Sequence, residues 1–285
     1  VSKNKNIISY NLETNQILAE IKHSEDILRF EHITDKKNKR DLLMVYSLLN
    51  FLIIYDIKNW KKILFLNKIN NLGMLNSACF LYDRKENEYF ILTSNNNLIK
   101  PNYIKIFDLK GKLRKEIHGS NEQTLCIKTY YNKDNNKTFI IALSNNHIKS
   151  YDYDNKILYK KYYIKGIEDY SDMEIIKAKE VEKLITSCVS HSLILIWNFN
   201  NGELLNNIKI EEKFFTMFLF NERILFIGAM RGNLIIMDLL SHENKKIEKI
   251  HRNYLSYINI FFHEKEGNWG LGIGDRSEER RVGKE

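Results

Sequence analysis

His147 and His191 are the first candidates for chemistry in this sequence, because each falls in a short polar turn between two apolar runs, at the same place in a recurring pattern. Two neutral imidazoles brought to one rim could bind a metal. No third ligand recurs near them, so no metal site is expected. Cys79, Cys126 and Cys188 lie far apart, each inside an apolar run. That spacing excludes CxxC and zinc-knuckle patterns and points to buried, reduced thiols in the cytoplasm or nucleus. Glu168, Asp169 and Asp172 fall in one loop and Glu211 and Glu212 in another. Acid–base catalysis would need two such carboxyls to converge, and a charged loop rim is the plainer expectation. No P-loop, GxSxG or HExxH occurs, and the glycines Gly270, Gly272 and Gly274 precede no phosphate-loop lysine. Trp60, Trp197 and Trp269 read as packing residues, and Met237 as a core residue. The chain is therefore expected to be non-catalytic and to need no cofactor.

The elements that would position these residues show as repetition. An apolar, β-branched run ending in a large residue followed by Asp or Asn occurs at Ile7–Asn11, Leu52–Asp56, Ile104–Asp108, Ile148–Asp152, Ile194–Asn198 and Leu234–Asp238. The large residues Tyr10, Tyr55, Phe107, Tyr151, Trp197 and Met237 are 45, 52, 44, 46 and 40 positions apart. Within one period, Met173–Ala178, Leu184–Val189, Leu193–Phe199 and Leu204–Ile210 alternate with short turns, which predicts a four-stranded antiparallel meander. The last of its turns, Asn200-Asn201-Gly202, consists of residues that tolerate positive φ. Four-step units are also read from Ser77 to His118, Leu125 to Tyr163 and Phe214 to Ile250, and more faintly from Ile27 to Phe65. Glu174–Leu184 could suggest a helix, but its place in the period favours a hairpin. A lone four-stranded sheet cannot cover both of its apolar faces, whereas stacked sheets can.

These units resemble WD repeats, in which the third strand ends in Trp-Asp, a turn with glycine follows, and Gly-His precedes the next unit. The best copy runs from Leu193 through Trp197-Asn198 to Gly202, with looser copies at Tyr55-Asp56, Phe107-Asp108 and Tyr151-Asp152. His23, His118 and His251 stand near unit junctions. The resemblance covers residues 1 to 274 and implies an all-β propeller. Its blade anchors would be Tyr10, Tyr55, Asp56, Phe107, Asp108, Tyr151, Asp152, Trp197, Asn198, Met237 and Asp238. The Asp usual before the third strand is replaced by Asn95-Asn96-Asn97, Asn145-Asn146, His191 or Gly232, so the family's buried His–Ser–Asp–Trp network is expected to be incomplete. Arg231-Gly232 matches only part of the paired-arginine motif of lipid-binding propellers, and that function is not carried over. About six blades are expected, or part of a seven-bladed ring. One would be composite, joining Ile7–Tyr10 and Ile17–Ile21 to Tyr257–Phe262 and Trp269–Ile273.

The net charge of +8 arises from 44 Lys and Arg against 36 Asp and Glu. Lysines spread over nearly every turn, with acids among them, read as solvated loops, and nucleic acid is not the expected partner. The most apolar stretch, Leu42 to Tyr55, is too short to span a membrane. Residues 275–285 break the composition and are read as a disordered tail of non-native sequence, on what is expected to be a fragment. The expectation is a single-copy propeller scaffold within a larger complex, binding protein partners through junction loops and second-to-third strand turns. Lys100, Asn121, His147, Tyr170, His191 and Arg231 are the candidate binding residues. The alternatives are a propeller hydrolase or glycosidase with carboxylates at the channel, and a basic surface for RNA or anionic lipid.

Overall fold

A computed structural model describes residues 5–10, 14, 16–24, 27, 29–47, 51–67, 74–96, 102–118, 122–177, 181–248, 250, 257–263, 268–274 and 279–282, the last three segments as backbone only. The chain opens with a hairpin of β1 (Asn6–Tyr10) and β2 (Ile17–Lys22). Five four-stranded antiparallel meanders follow. The first comprises β3 (Arg29–Asp35), β4 (Arg40–Tyr46), β5 (Phe51–Asp56) and β6 (Lys61–Asn67), and the second β7 (Met74–Asp83), β8 (Glu88–Asn96), β9 (Tyr103–Asp108) and β10 (Leu113–His118). The third holds β11 (Thr124–Asn132), β12 (Lys137–Ser144), β13 (Ile148–Asp152) and β14 (Ile157–Tyr162). The fourth holds β15 (Tyr170–Ile176), β16 (Lys183–Cys188), β17 (Leu193–Asn198) and β18 (Leu204–Lys209), and the fifth β19 (Phe214–Phe220), β20 (Ile224–Ala229), β21 (Leu234–Asp238) and β22 (Asn244–Ile247). A three-stranded sheet of β23 (Tyr257–His263), β24 (Asn268–Gly274) and β25 (Glu279–Val282) ends the chain.

The architecture is all-β and propeller-like, with five four-stranded blades instead of about six. Among the described residues the composite blade does not form: β24 pairs with β25, residue 271 facing 282, and β1 pairs with β2 in a separate two-stranded sheet. A short hairpin closes at far lower entropic cost than pairing two strands from opposite ends of the chain. The strand β25 lies inside the segment read from sequence as a disordered tail. Glu174, Ile175 and Ile176 pair with Ile185, Leu184 and Lys183, so the stretch that could suggest a helix is a hairpin.

The chain divides into two compact units, residues 1–142 with 150–159, and residues 143–149 with 160–285. In the first, alternation along a strand serves two cores. Leu42 and Met44 of β4 pack with Phe80, Ile91 and Phe107 of the second meander. Their neighbours Leu43 and Val45 face the other way, onto Ile7 and Ile21 of the opening hairpin. Cys79, Leu81 and Leu92 in turn meet Ile127, Ile140 and Tyr151. In the second unit Ile185, Ile194 and Ile196 pack on Met217, Leu225 and Met237. Period-2 alternation with both faces buried explains the continuous apolar runs of the second and third strands. The fourth strands are wetter: β18 alternates half-buried and exposed, and β22 is exposed throughout.

The acid or amide that ends each third strand caps its own turn. Asp56 Oδ1 accepts from the Lys58 amide at 3.1 Å, Asp108 from Lys110 at 2.9 Å and Asp152 from Asn155 at 3.1 Å. Asn198 accepts from Asn200 at 2.9 Å and Asp238 from Leu240 at 2.8 Å. These are Asx turns, which fix the chain reversal locally. Trp60, Gly111, Lys156, Gly202 and His242, near the end of each turn, adopt positive φ. The two glycines have a packing reason besides: a Cβ would lie 2.8 Å from Leu66 Cδ2 at Gly111 and 3.0 Å from Lys160 Cδ at Gly202. First strands end the same way, at Asp35, Asp83 and Asn132, which accept the amides of Asn38, Lys85 and Asp134.

Candidate functional site

In an antiparallel meander the start of strand one, the turn between strands two and three, and the end of strand four share one edge. In the second unit this edge carries four of the candidate binding residues, His147, Tyr170, His191 and Arg231. Its backbone is tied from turn to junction. The Tyr170 amide donates to Asn145 O at 3.2 Å, Val189 to Asp169 O at 3.0 Å, and Met230 to Lys213 O at 2.9 Å. Ile210 N donates to Ser192 O at 2.8 Å, and Lys209 Nζ reaches His191 O.

The predicted residues divide on exposure. His191 and Arg231 are exposed. His147 and Tyr170 are buried and cannot serve as surface contacts, which corrects the sequence reading. Their turns do lie at the edge, but His147, just before β13, and Tyr170, the first residue of β15, are both packed inside it. Burial pushes the Tyr170 hydroxyl up to about 12. Lys100 and Asn121 lie outside the described residues. So do His251 and the side chain of Tyr10, whereas Trp197 and Met237 are core and Tyr55, Phe107 and Tyr151 are buried.

Sequence reasoning missed Tyr163, 58% exposed, and Met230, 43% exposed, at the same edge. The signal for Tyr163 was alternation: Tyr162 turns inward and donates to Phe199 O at 2.6 Å, so Tyr163 must face out, with the Lys161 ammonium 4.7 Å from its ring centre. Met230 follows the last residue of β20 in a turn whose Gly232 takes φ +75°.

His191 sits in the one cluster here that resembles catalytic machinery. Its Nδ1 lies 2.8 Å from Ser190 Oγ and 3.5 Å from Cys188 Sγ. Both Ser190 Oγ and Cys188 Sγ also reach Glu168 O, at 3.1 Å and 2.9 Å. A serine hydroxyl has one proton, and when it goes to the Glu168 carbonyl, His191 Nδ1–H becomes the donor to Ser190. In that tautomer the imidazole is not a base toward Ser190. Among the described residues no carboxylate hydrogen-bonds the ring to orient it, as a nucleophile–base pair requires. The cluster locks the turn.

Among the described residues none of the candidate acids is hydrogen-bonded to another. Asp172 is buried, with Oδ2 accepting from Thr216 Oγ1 at 3.1 Å and the Met217 amide at 2.9 Å. Burial would raise Glu212, but hydrogen bonds from Lys246 and Asn233 outweigh it and hold this carboxyl low. In the first unit no sequence motif marks Glu31 on β3, whose Oε2 accepts the Phe80 amide at 3.1 Å. Burial raises it to about 7, against the opposing pull of that amide and of Lys128. Glu31 is half-buried, and among the described residues no second carboxyl acts on it. Among the described residues no group of three His, Cys, Asp or Glu side chains could hold a metal ion, and no helix is long and apolar enough to cross a membrane.

No protein-family model matches the chain, and no curated protein matches its sequence.

Proposed function

We propose that this protein is a non-catalytic interaction scaffold, which binds a protein partner through the turn-and-junction edge of its second unit. The observation that carries this reading is the pairing of a hydrogen-bonded edge backbone with exposed Tyr163, Met230, His191 and Arg231. Large amphipathic side chains on a pre-ordered backbone lose little entropy on binding, and Tyr and Arg are enriched among residues that dominate interface energies. The WD-repeat resemblance adds support only at the level of fold, since one fold hosts many activities.

The test is affinity capture from native lysate with the chain and with a variant carrying Tyr163→Ala, His191→Ala, Met230→Ala and Arg231→Ala. Partners recovered reproducibly with the parent chain should drop out with the variant, while its thermal unfolding stays unchanged. Undiminished recovery of every partner would move the binding face elsewhere.

A further inference from the structure

The opposite edge of the first unit differs in kind. It collects the turns between strands one and two and between strands three and four of the first three meanders. These turns interlock. Lys37 Nζ donates to Asn87 O at 3.0 Å, Lys58 Nζ to Lys39 O at 2.7 Å, and Tyr153 OH to Asp83 Oδ2 at 2.8 Å. Lys85 pairs with Asp154 at 2.9 Å, and the Arg84 guanidinium lies 3.5 Å over the ring of Tyr131.

Charge on this edge is sorted by depth. Asp35, Asp83, Asp108 and Asp152 are buried, each holding amides of its own turn. The guanidinium groups are also committed, Arg40 to Asp35, Arg114 to Asp108 and Arg84 to Tyr131. Each of the six turns also carries an exposed lysine, Lys36, Lys58, Lys85, Lys110, Lys133 or Lys156, of which Lys58 donates to Lys39 O and Lys85 pairs with Asp154. Several turns carry more than one, and the exposed acids are Glu86, Glu88, Asp134 and the paired Asp154.

We infer that this lysine-studded edge of the first unit docks an acidic, irregular segment of a protein partner. The inference rests on the scaffold reading and adds a second contact to it. Charge complementarity calls for a polyanion, and the kinds of residue narrow the class. The arginine forks that suit phosphate are used internally, and Arg84 covers the Tyr131 ring on which a base could stack. What remains, chiefly Lys36, Lys110, Lys133 and Lys156, is a set of flexible point charges on separate turns. Such a set matches a chain of carboxylates without fixed geometry better than an ordered phosphate backbone.

The experiment uses fluorescence anisotropy with a labelled glutamate-rich peptide of about 20 residues, an oligouridine of equal charge and phosphatidylserine vesicles. The full chain is compared with Lys36→Glu/Lys110→Glu/Lys133→Glu and with a control of equal net charge, Lys165→Glu/Lys213→Glu/Lys245→Glu. Circular dichroism confirms that both variants fold. The expected result is saturable peptide binding that weakens steeply with salt, is at least about tenfold weaker in the first variant, and is little changed in the control. Absent binding, equal loss in both variants, or tighter binding of RNA or vesicles than of peptide would overturn it. Loss of the captured partners with the Tyr163/His191/Met230/Arg231 variant is independent of this result, so the two proposals can fail separately.

Discussion

The second meander, in the first unit, and the fourth, in the second, place a threonine at the same position and treat it differently. Thr186 of β16 pairs with Leu195, and Trp197, two residues further along β17, donates its indole N–H to Thr186 Oγ1 at 2.9 Å. Thr93 of β8 pairs with Lys105, and the residue two further along β9 is Phe107. A phenyl ring has no N–H. Thr93 Oγ1 is fully buried and has no hydrogen-bond partner among the described residues. A degenerate repeat thus keeps the shape of a blade and loses part of its polar bonding, since the apolar core alone suffices for the stack.

The largest expected effect probes another position where the two meanders differ, the link each makes from its first strand to the next sheet. In the fourth, the buried Asp172 carboxylate accepts both Thr216 Oγ1 and the Met217 amide. In the second, a hydroxyl does the equivalent work, Ser77 Oγ accepting the Ile127 amide at 3.1 Å. Asp172→Ala should cost about 3–5 kcal/mol, because it strands a buried amide and hydroxyl at once, and Ser77→Ala about 1–2 kcal/mol. Urea titration of the two variants checks this, and equal costs would mean that the charge on Asp172 adds nothing.

The first meander makes the same kind of link with Glu31, at an electrostatic cost. Its carboxyl is raised to about 7, above the ordinary value of an unfolded chain, so between those values the folded state binds more protons. Its contribution to stability is full at acid pH, declines as pH rises toward 7, and stays low above it. Glu31→Gln retains an acceptor for the Phe80 amide and has no charge to bury. It should stabilise the protein by about 1–3 kcal/mol at pH 8 and change little at pH 4. Thermal melts of parent and variant across that range read the difference, and a constant gap would show that Glu31 ionises normally.

How much of this could be read in the sequence follows from which forces are local. The third-strand ends Asp56, Asp108, Asp152, Asn198 and Asp238 were legible because each acts within four residues of itself. Asp35, Asp83 and Asn132 carry the same signal, 48 and 49 residues apart, at the ends of first strands. The inward turn of Tyr170 depends on where β15 begins, and a shift of one residue reverses a side chain's face. Glu31 was invisible for a different reason: its environment is built by Phe80 and Lys128, each far along the chain, and no local pattern encodes it. The sorting of acids inward and lysines outward was hidden likewise, because in sequence they simply alternate.

The smallest effect returns to the two threonines and separates shape from bonding. If Thr93 Oγ1 is an orphan, Thr93→Val replaces a buried hydroxyl by a methyl of nearly the same volume and should stabilise the protein by about 1 kcal/mol. The same change at Thr186 removes the acceptor of the Trp197 indole and should destabilise by about 1–2 kcal/mol. Opposite signs at equivalent positions would tie the difference to the ring opposite. Phe107→Trp adds a third arm: in that background Thr93→Val should lose its benefit, since the new indole N–H can reach the hydroxyl. Chemical denaturation of the single and double variants measures the coupling, and a Thr93→Val gain that is the same with either ring would show that the third-strand aromatic does not set the fate of this hydroxyl.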